Sequence, residues 1–287
     1  MITQMRIEKA AKIGVCFGVK RAIDIVERTA RERGGVETLG AVVHNQQVLK
    51  RLAELGVKVV KDVDDIHDNT VVISTHGVSP QLVEEIRARH IEIIDTTCPF
   101  VRRAQVATQR LAESGFFIVI YGDANHAEVK GILGWTKGRG IATLDEKFIT
   151  NLDSLPRRLG VLSQTTQIPA HFAEFVKKLI DSTFTKDSEL RITDTICHDI
   201  RQRQAAAVKL ASKADLMLVI GSHNSANTKH LAQLCSMATK TYLVETAEEI
   251  QPSWLQGQYY LGITAGASTD EQTINEVWMK LEAIARG

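Results

Sequence analysis

The sequence predicts an α/β protein: three similar α/β domains with mainly parallel sheets, set in a pseudo-threefold ring around a shared centre. Three observations carry that expectation. Apolar runs of strand length alternate with helical runs along the chain, the signature of βαβ units and parallel sheets. One short phrase, Cys-x-x-(Val/Ile)-(Lys/Arg), occurs three times, beginning at Cys16, Cys98 and Cys197. The third copy lacks the returning strand that follows the other two, and residues 5–8 can supply it. Repetition on this scale governs the whole architecture.

Each unit then runs through the same landmarks. The cysteine opens a helical run that still carries alanine at one shared later position, at Ala30, Ala112 and Ala211. An apolar run follows and ends in Gly40, Gly122 or Gly221; the runs 116–121 and 216–220 are clear strands. Four residues past each glycine stands His44, His126 or Ser225, and two further on Gln46, Glu128 or Asn227. A second apolar strand ends in small and hydroxyl residues, reaching His76, Thr165 with Thr166, and Ser268. A last strand, 91–94 or 190–193, returns to the next cysteine. The expected domains are therefore 1–97, with Cys16, His44 and His76; 98–196, with Cys98, His126, Glu128, Thr165 and Thr166; and 197–287, with Cys197, Ser225, Asn227 and Ser268. In parallel sheets ligands bind outside the carboxyl ends of the strands, where all these residues fall.

Bulk properties narrow the class. With 287 residues, 44% apolar and 24% charged, the chain is long enough for well-buried cores. A formal net charge of +1, with Lys and Arg spread along the chain, gives no general field for nucleic acid or for an anionic membrane. No apolar run is long enough to span a bilayer, and the N-terminus lacks the apolar core of a signal peptide. Four cysteines in such a chain indicate reduced, metal-binding or reactive thiols in the cytoplasm rather than a disulfide framework.

Cys235 sits on an apolar helical stripe outside the repeat and is expected to be structural. The other three cysteines share one repeat position, at helix N-termini that favour thiolates. Two centres fit three dispersed thiols. Zinc could sit in a site with three cysteines, with Glu128 as base of a hydrolase or lyase. An iron–sulfur cluster could use the same thiols and keep one iron free of protein ligands. Such a cluster also admits a non-enzymatic reading, a redox sensor binding a phosphate ligand.

His44, His76 and His126 are singled out among nine histidines because each follows an apolar run at a landmark. Their expected task is hydrogen bonding to an anion. Glu128 is the one acid at its landmark, and enclosure would favour its neutral, proton-donating form. The third unit, from Gly221 to Asn227 and from Gly266 to Ser268, is dense in hydroxyl and amide donors of the kind that cradle phosphates at strand–helix junctions. Neither the Walker nor the dinucleotide glycine pattern occurs there.

Taken in order, these segments resemble the 4-hydroxy-3-methylbut-2-enyl diphosphate reductase family, known as IspH or LytB. The resemblance is carried by Gly14 to Val19, Val43-His44-Asn45, Thr75 to Val78, Asp95 to Pro99, and His126 to Gly131. Ser163 to Thr166, Thr195 to Cys197, Arg203-Gln204, Gly221 to Asn227 and Gly262 to Ser268 extend it over nearly the whole chain. It implies reductive dehydroxylation of (E)-4-hydroxy-3-methylbut-2-enyl diphosphate to isopentenyl and dimethylallyl diphosphate, the last step of the methylerythritol phosphate route to isoprenoids. It implies an iron–sulfur cluster, [4Fe-4S] with one iron not ligated by protein, on Cys16, Cys98 and Cys197. By the same resemblance His44, His76, His126, Thr166, Ser225, Ala226, Asn227 and Ser268 line the substrate site. His126 and Glu128 deliver protons, with Thr165 or Thr166 beside the hydroxyl. Electrons are implied to come from a ferredoxin- or flavodoxin-type protein. The chain departs from the family pattern at Phe17, commonly alanine, and at Ala127, usually proline. It departs also at Ala226, often a second serine, and at Ile200, commonly threonine.

Overall fold

A computed structural model describes residues 5–145, 156–183 and 187–286. Every candidate site residue lies among them, while residues 1–4, the start of the N-terminal segment read for a signal peptide, lie outside. In chain order the strands are β1 (Arg6–Lys9), β2 (Val36–Leu39), β3 (Val57–Val60), β4 (Thr70–Ile73), β5 (Glu92–Asp95), β6 (Phe117–Tyr121), β7 (Gly140–Thr143), β8 (Arg158–Ser163), β9 (Glu189–Thr193), β10 (Leu216–Ile220), β11 (Lys240–Val244) and β12 (Tyr260–Ala265). They form three four-stranded sheets of one topology, ordered β3-β2-β4-β5, β7-β6-β8-β9 and β11-β10-β12-β1. All neighbouring strands run parallel.

The expected N-terminal strand is present. β1 pairs with β12, Ile7 opposite Leu261, so that β12 has a parallel neighbour on both sides and β1 becomes the edge of the sheet. A strand numbered within 1–97 therefore belongs to the third sheet.

Two compact units divide the chain: Met1–Lys20 with Val43–Arg51 and His198–Gly287, and Arg21–Val42 with Leu52–Cys197. In the first unit, β10 is buried on both faces, as a central parallel strand must be. Leu216, Leu218 and Ile220 pack with Val277 and Leu281 of the C-terminal helix Glu271–Arg286. Met217 and Val219 face Ala207, Leu210 and Leu231 on the other side. Cys235 belongs to that second cluster, fully buried, and burial pushes its thiol up to about 12. It is structural, as expected.

In the second unit β6 splits in the same way. Ile118 and Ile120 pack on Ala104, Leu111 and Ile132, while Val119 and Tyr121 pack on Phe172 and Phe175. Each such aliphatic or aromatic side chain contributes about 1.5–3 kcal/mol on burial. The edge strands β3, β7 and β11 show no comparable run, and Val59 of β3 is exposed.

Turn chemistry fixes where the strand ends point. Gly77 has φ +66°, and a Cβ there would lie 2.5 Å from Gln105 Nε2, so only glycine can follow His76 so closely. Pro99 starts the helix Pro99–Glu113 directly after Cys98, the position where its missing N–H costs nothing. Among the described residues no helix is long and apolar enough to cross a membrane.

Candidate functional site

The three repeat cysteines hang from three equivalent carbonyls. Cys98 N–H donates to Thr75 O at 3.0 Å, Cys197 N–H to Thr165 O at 2.9 Å, and Cys16 N–H to Ala267 O at 2.9 Å. Each bond ties a cysteine to the loop just past the third strand of a sheet, and His76, Thr166 and Ser268 follow the acceptors at matching positions. None of the four cysteines forms a disulfide among the described residues. Cys16 Sγ accepts the Val19 N–H at 3.5 Å from the first turn of its helix. Burial still raises this thiol above its ordinary value, with the Asp199 charge adding to the rise and the Val19 N–H and Arg203 opposing it. A bound metal reverses that balance, since a coordinating thiol is deprotonated outright. Thiols outside any disulfide at three repeated helix starts, one accepting a backbone N–H, fit an iron–sulfur group as ligands.

Helix starts also order the second landmark. His126 caps the helix Ala127–Leu133, its Nδ1 accepting Glu128 N–H at 3.2 Å. Nδ1 is thereby an acceptor, and in the neutral ring the proton sits on Nε2. Ser225 caps the helix Ala226–Ser236 by accepting Thr228 N–H at 3.3 Å. In the first repeat the cap is Asn45, whose Oδ1 accepts Val48 N–H at 3.1 Å ahead of the helix Gln46–Glu54. This corrects the sequence alignment by one residue: Gln47, rather than Gln46, matches Glu128 and Asn227. An extra residue between Gly40 and the cap shifts the count, and Asn directly before a helical run was the signal for it.

In the second unit, His76, His126, Glu128 and Thr165 come together. The rings of His76 and His126 meet edge to face with centroids 5.4 Å apart. The Glu128 carboxyl is only 2% exposed. Thr165 N–H donates to its Oε1 at 2.6 Å and the Thr165 hydroxyl to its Oε2 at 2.8 Å. Those donors favour the carboxylate, yet burial dominates and raises the group to about 7. A carboxylic acid that still holds its proton near neutrality, against a hydroxyl, is equipped as a general acid.

In the first unit the polar groups are donors. Ser268 hydroxyl donates to His44 O at 3.3 Å, and Asn45 Nδ2 donates to Ser268 O at 2.7 Å, tying two landmark loops together. Burial lowers His44 from its ordinary value, so an anion must supply the charge that favours its doubly protonated form. Ser225 and Asn227 are buried, and neither amide atom of Asn227 has a partner among the described residues. Buried unpartnered amides are costly, which makes Asn227 a candidate for facing a ligand. Ala226, half-buried between them, brings no donor.

Comparison with known proteins gives one answer. The model of the LytB protein family matches residues 7–282. The 4-hydroxy-3-methylbut-2-enyl diphosphate reductase of Dehalococcoides mccartyi (strain CBDB1) is 60% identical over 283 residues, covering 99% of this chain and 100% of the relative. The reductase of that name from Geobacter metallireducens is 40% identical, covering 98% of both chains. Among solved structures, the E-1-hydroxy-2-methyl-but-2-enyl-4-diphosphate reductase of Plasmodium falciparum superimposes with a TM-score of 0.91 at 28% identity, over 97% of this chain and 88% of that one. A second, (E)-4-hydroxy-3-methyl-but-2-enyl diphosphate reductase, gives 0.69 at 36% identity, over 97% of this chain and 99% of that one.

Proposed function

The chain belongs to the LytB protein family, and from that premise we propose that it is an iron–sulfur reductase of the last step of the methylerythritol phosphate route. It reductively dehydroxylates (E)-4-hydroxy-3-methylbut-2-enyl diphosphate to isopentenyl and dimethylallyl diphosphate. One observation carries the chemistry: the buried Glu128 carboxyl, held by Thr165 and raised to about 7.

Cys16, Cys98 and Cys197 are the proposed cluster ligands, one from each repeat, holding [4Fe-4S] with one iron free of protein. When bound, that cluster supplies electrons one at a time and a Lewis acid for the departing oxygen. The chain's own groups do the rest. Ser225, Asn227, Ser268, His44 and His76 hold the diphosphate, the buried serines and amide by hydrogen bonds and the imidazoles by charge. The helix start behind Ser225 adds backbone N–H groups suited to an anion. His126 offers Nε2–H, because its Nδ1 is committed to the helix.

In its neutral form Glu128 carries the proton on Oε2 and donates it to Thr165 Oγ1, reversing the bond made to the carboxylate; Oγ1 can take that proton while passing its own outward to the substrate hydroxyl. Thr166, next along the loop, is the second hydroxyl proposed beside the substrate. Two electrons and two protons enter; one C–O bond breaks, water leaves, and the second proton ends on carbon. The electrons come from a one-electron protein donor of the ferredoxin or flavodoxin type. Four cysteines that form no disulfide among the described residues support a reducing, cytoplasmic setting. The repeat is divided at 1–97, 98–196 and 197–287, with the strand Arg6–Lys9 lent to the third sheet.

Anaerobic purification tests the centre. The expected product is brown protein with about four irons and four sulfides per chain that turns over the allylic diphosphate with dithionite and a viologen dye. Colourless zinc protein overturns the reading in favour of a hydrolase or lyase. A cluster without turnover points to a sensor.

A further inference from the structure

Six residues beyond each repeat cysteine, the following helix buries one side chain completely. In two helices it is alanine, Ala22 at 0% exposure and Ala104 at 0%. In the third it is Arg203, also 0% exposed and the bulkiest fully buried side chain among the described residues. A position that two repeats fill with a methyl group here carries a permanent charge, which burial penalises heavily. Packing gives no reason for it.

Its surroundings lie beside the Cys16 ligand. Arg203 Nη1 donates to Ala265 O at 3.1 Å, two residues before Ala267, whose carbonyl holds the Cys16 N–H. Nη2 meets Asp199 Oδ2 at 3.2 Å, and Asp199 Oδ1 is shared with Lys12 Nζ at 2.7 Å. One carboxylate thus serves two cations. Lys12 is 42% exposed and screened by solvent, whereas Arg203 is not exposed at all. The Arg203 Nε–H is buried with no acceptor among the described residues. The arrangement therefore holds a buried positive charge, incompletely neutralised, next to one thiolate of the proposed cluster.

We propose that Arg203 is a positioning residue for charge: it biases the cluster on Cys16, Cys98 and Cys197 toward its reduced state, and Asp199 tempers that bias. The inference rests on the cluster reading above. Reduction adds one negative charge to the cluster, and a fixed buried cation favours the more negative form. Asp199, an anion at the same place, acts in the opposite sense. Ala22 and Ala104 carry no charge, so at this helix position the bias enters from the third repeat.

The test is the midpoint potential of the anaerobically loaded protein, read by electron paramagnetic resonance during titration with dithionite. In that titration each reduced cluster gains one electron and dithionite is oxidised to sulfite. Arg203→Met is expected to keep its iron and sulfide and to shift the potential to more negative values. Asp199→Asn should shift it to more positive values, and Arg203→Lys should stay near the parent protein. Loaded Arg203→Met at the parent potential overturns the inference, as does movement of both variants in one direction, which a purely structural role would produce. Should Arg203→Met fail to fold or load, Asp199→Asn decides alone: a potential unchanged or more negative overturns the inference. Parent protein without iron and sulfide instead overturns the cluster reading and this inference with it.

Discussion

The helix starts at His126 and at Ser225 share one construction and serve different chemistry. Both follow a strand ending in glycine, both are capped by a side chain that accepts from the first turn, and both bury the second helical residue. At one start that residue is Glu128, with both oxygens engaged by Thr165. At the other it is Asn227, with neither amide atom engaged. The first is organised before substrate arrives, as a group that must hold and release a proton needs to be. The second is left open, and in the proposed reading it takes its partner from the ligand. A helix N-terminus would by itself favour a carboxylate at Glu128; burial outweighs the dipole and keeps the proton available near neutral pH.

The contrast breaks most sharply at the acid. Glu128→Gln keeps the shape and removes the proton, so kcat should fall by at least about 100-fold, the lower range for general acid catalysis, with KM within about threefold. Unchanged kcat would deny Glu128 its role. Asn227→Ala should do the reverse, raising KM about 10-fold or more for loss of a hydrogen bond to a charged group while kcat changes little. Steady-state kinetics of the pair place the two helix starts on opposite sides of the kcat–KM split; a common effect on both parameters would erase the distinction.

A smaller gain tests the donor side. Ala226→Ser restores a hydroxyl beside Asn227 and should lower KM by about twofold to tenfold, the worth of one added hydrogen bond. Smallest is a shift of pH. The neutral acid is the active form, so kcat should decline as pH rises through about 7. Thr165→Val removes the proposed relay, so turnover falls, and with it a donor that favours the carboxylate, so the decline of the residual kcat moves to higher pH; the pH–rate profile reads the shift, and movement to lower pH would contradict the assignment.

Much of this was legible in the sequence because it is periodic or locally determined. The tripled cysteine phrase, the strand runs before Gly122 and Gly221 and the lending of Arg6–Lys9 to the last sheet are patterns of spacing. Where local signals were weak, the reading slipped. The edge strands β3, β7 and β11 are half-exposed and lead to none of the repeat's landmarks, whereas the equally exposed edge strands β5 and β9 are announced by the cysteines that follow them. Gln47 replaced Gln46 because one extra residue precedes the cap, and the Asn45 before the helical run is its one local signal.

The sequence alone determined the parallel α/β class, the threefold repetition, the three cysteines and the donor-rich third repeat, since residue type and period are sufficient for these. Tertiary structure alone decided that Thr165 grips Glu128, that Asn227 is buried without a partner, and that Arg203 stands where its sister helices bury alanine. Burial and hydrogen-bond pairing join residues far apart in the chain, and no one-dimensional pattern records which of them share a dielectric.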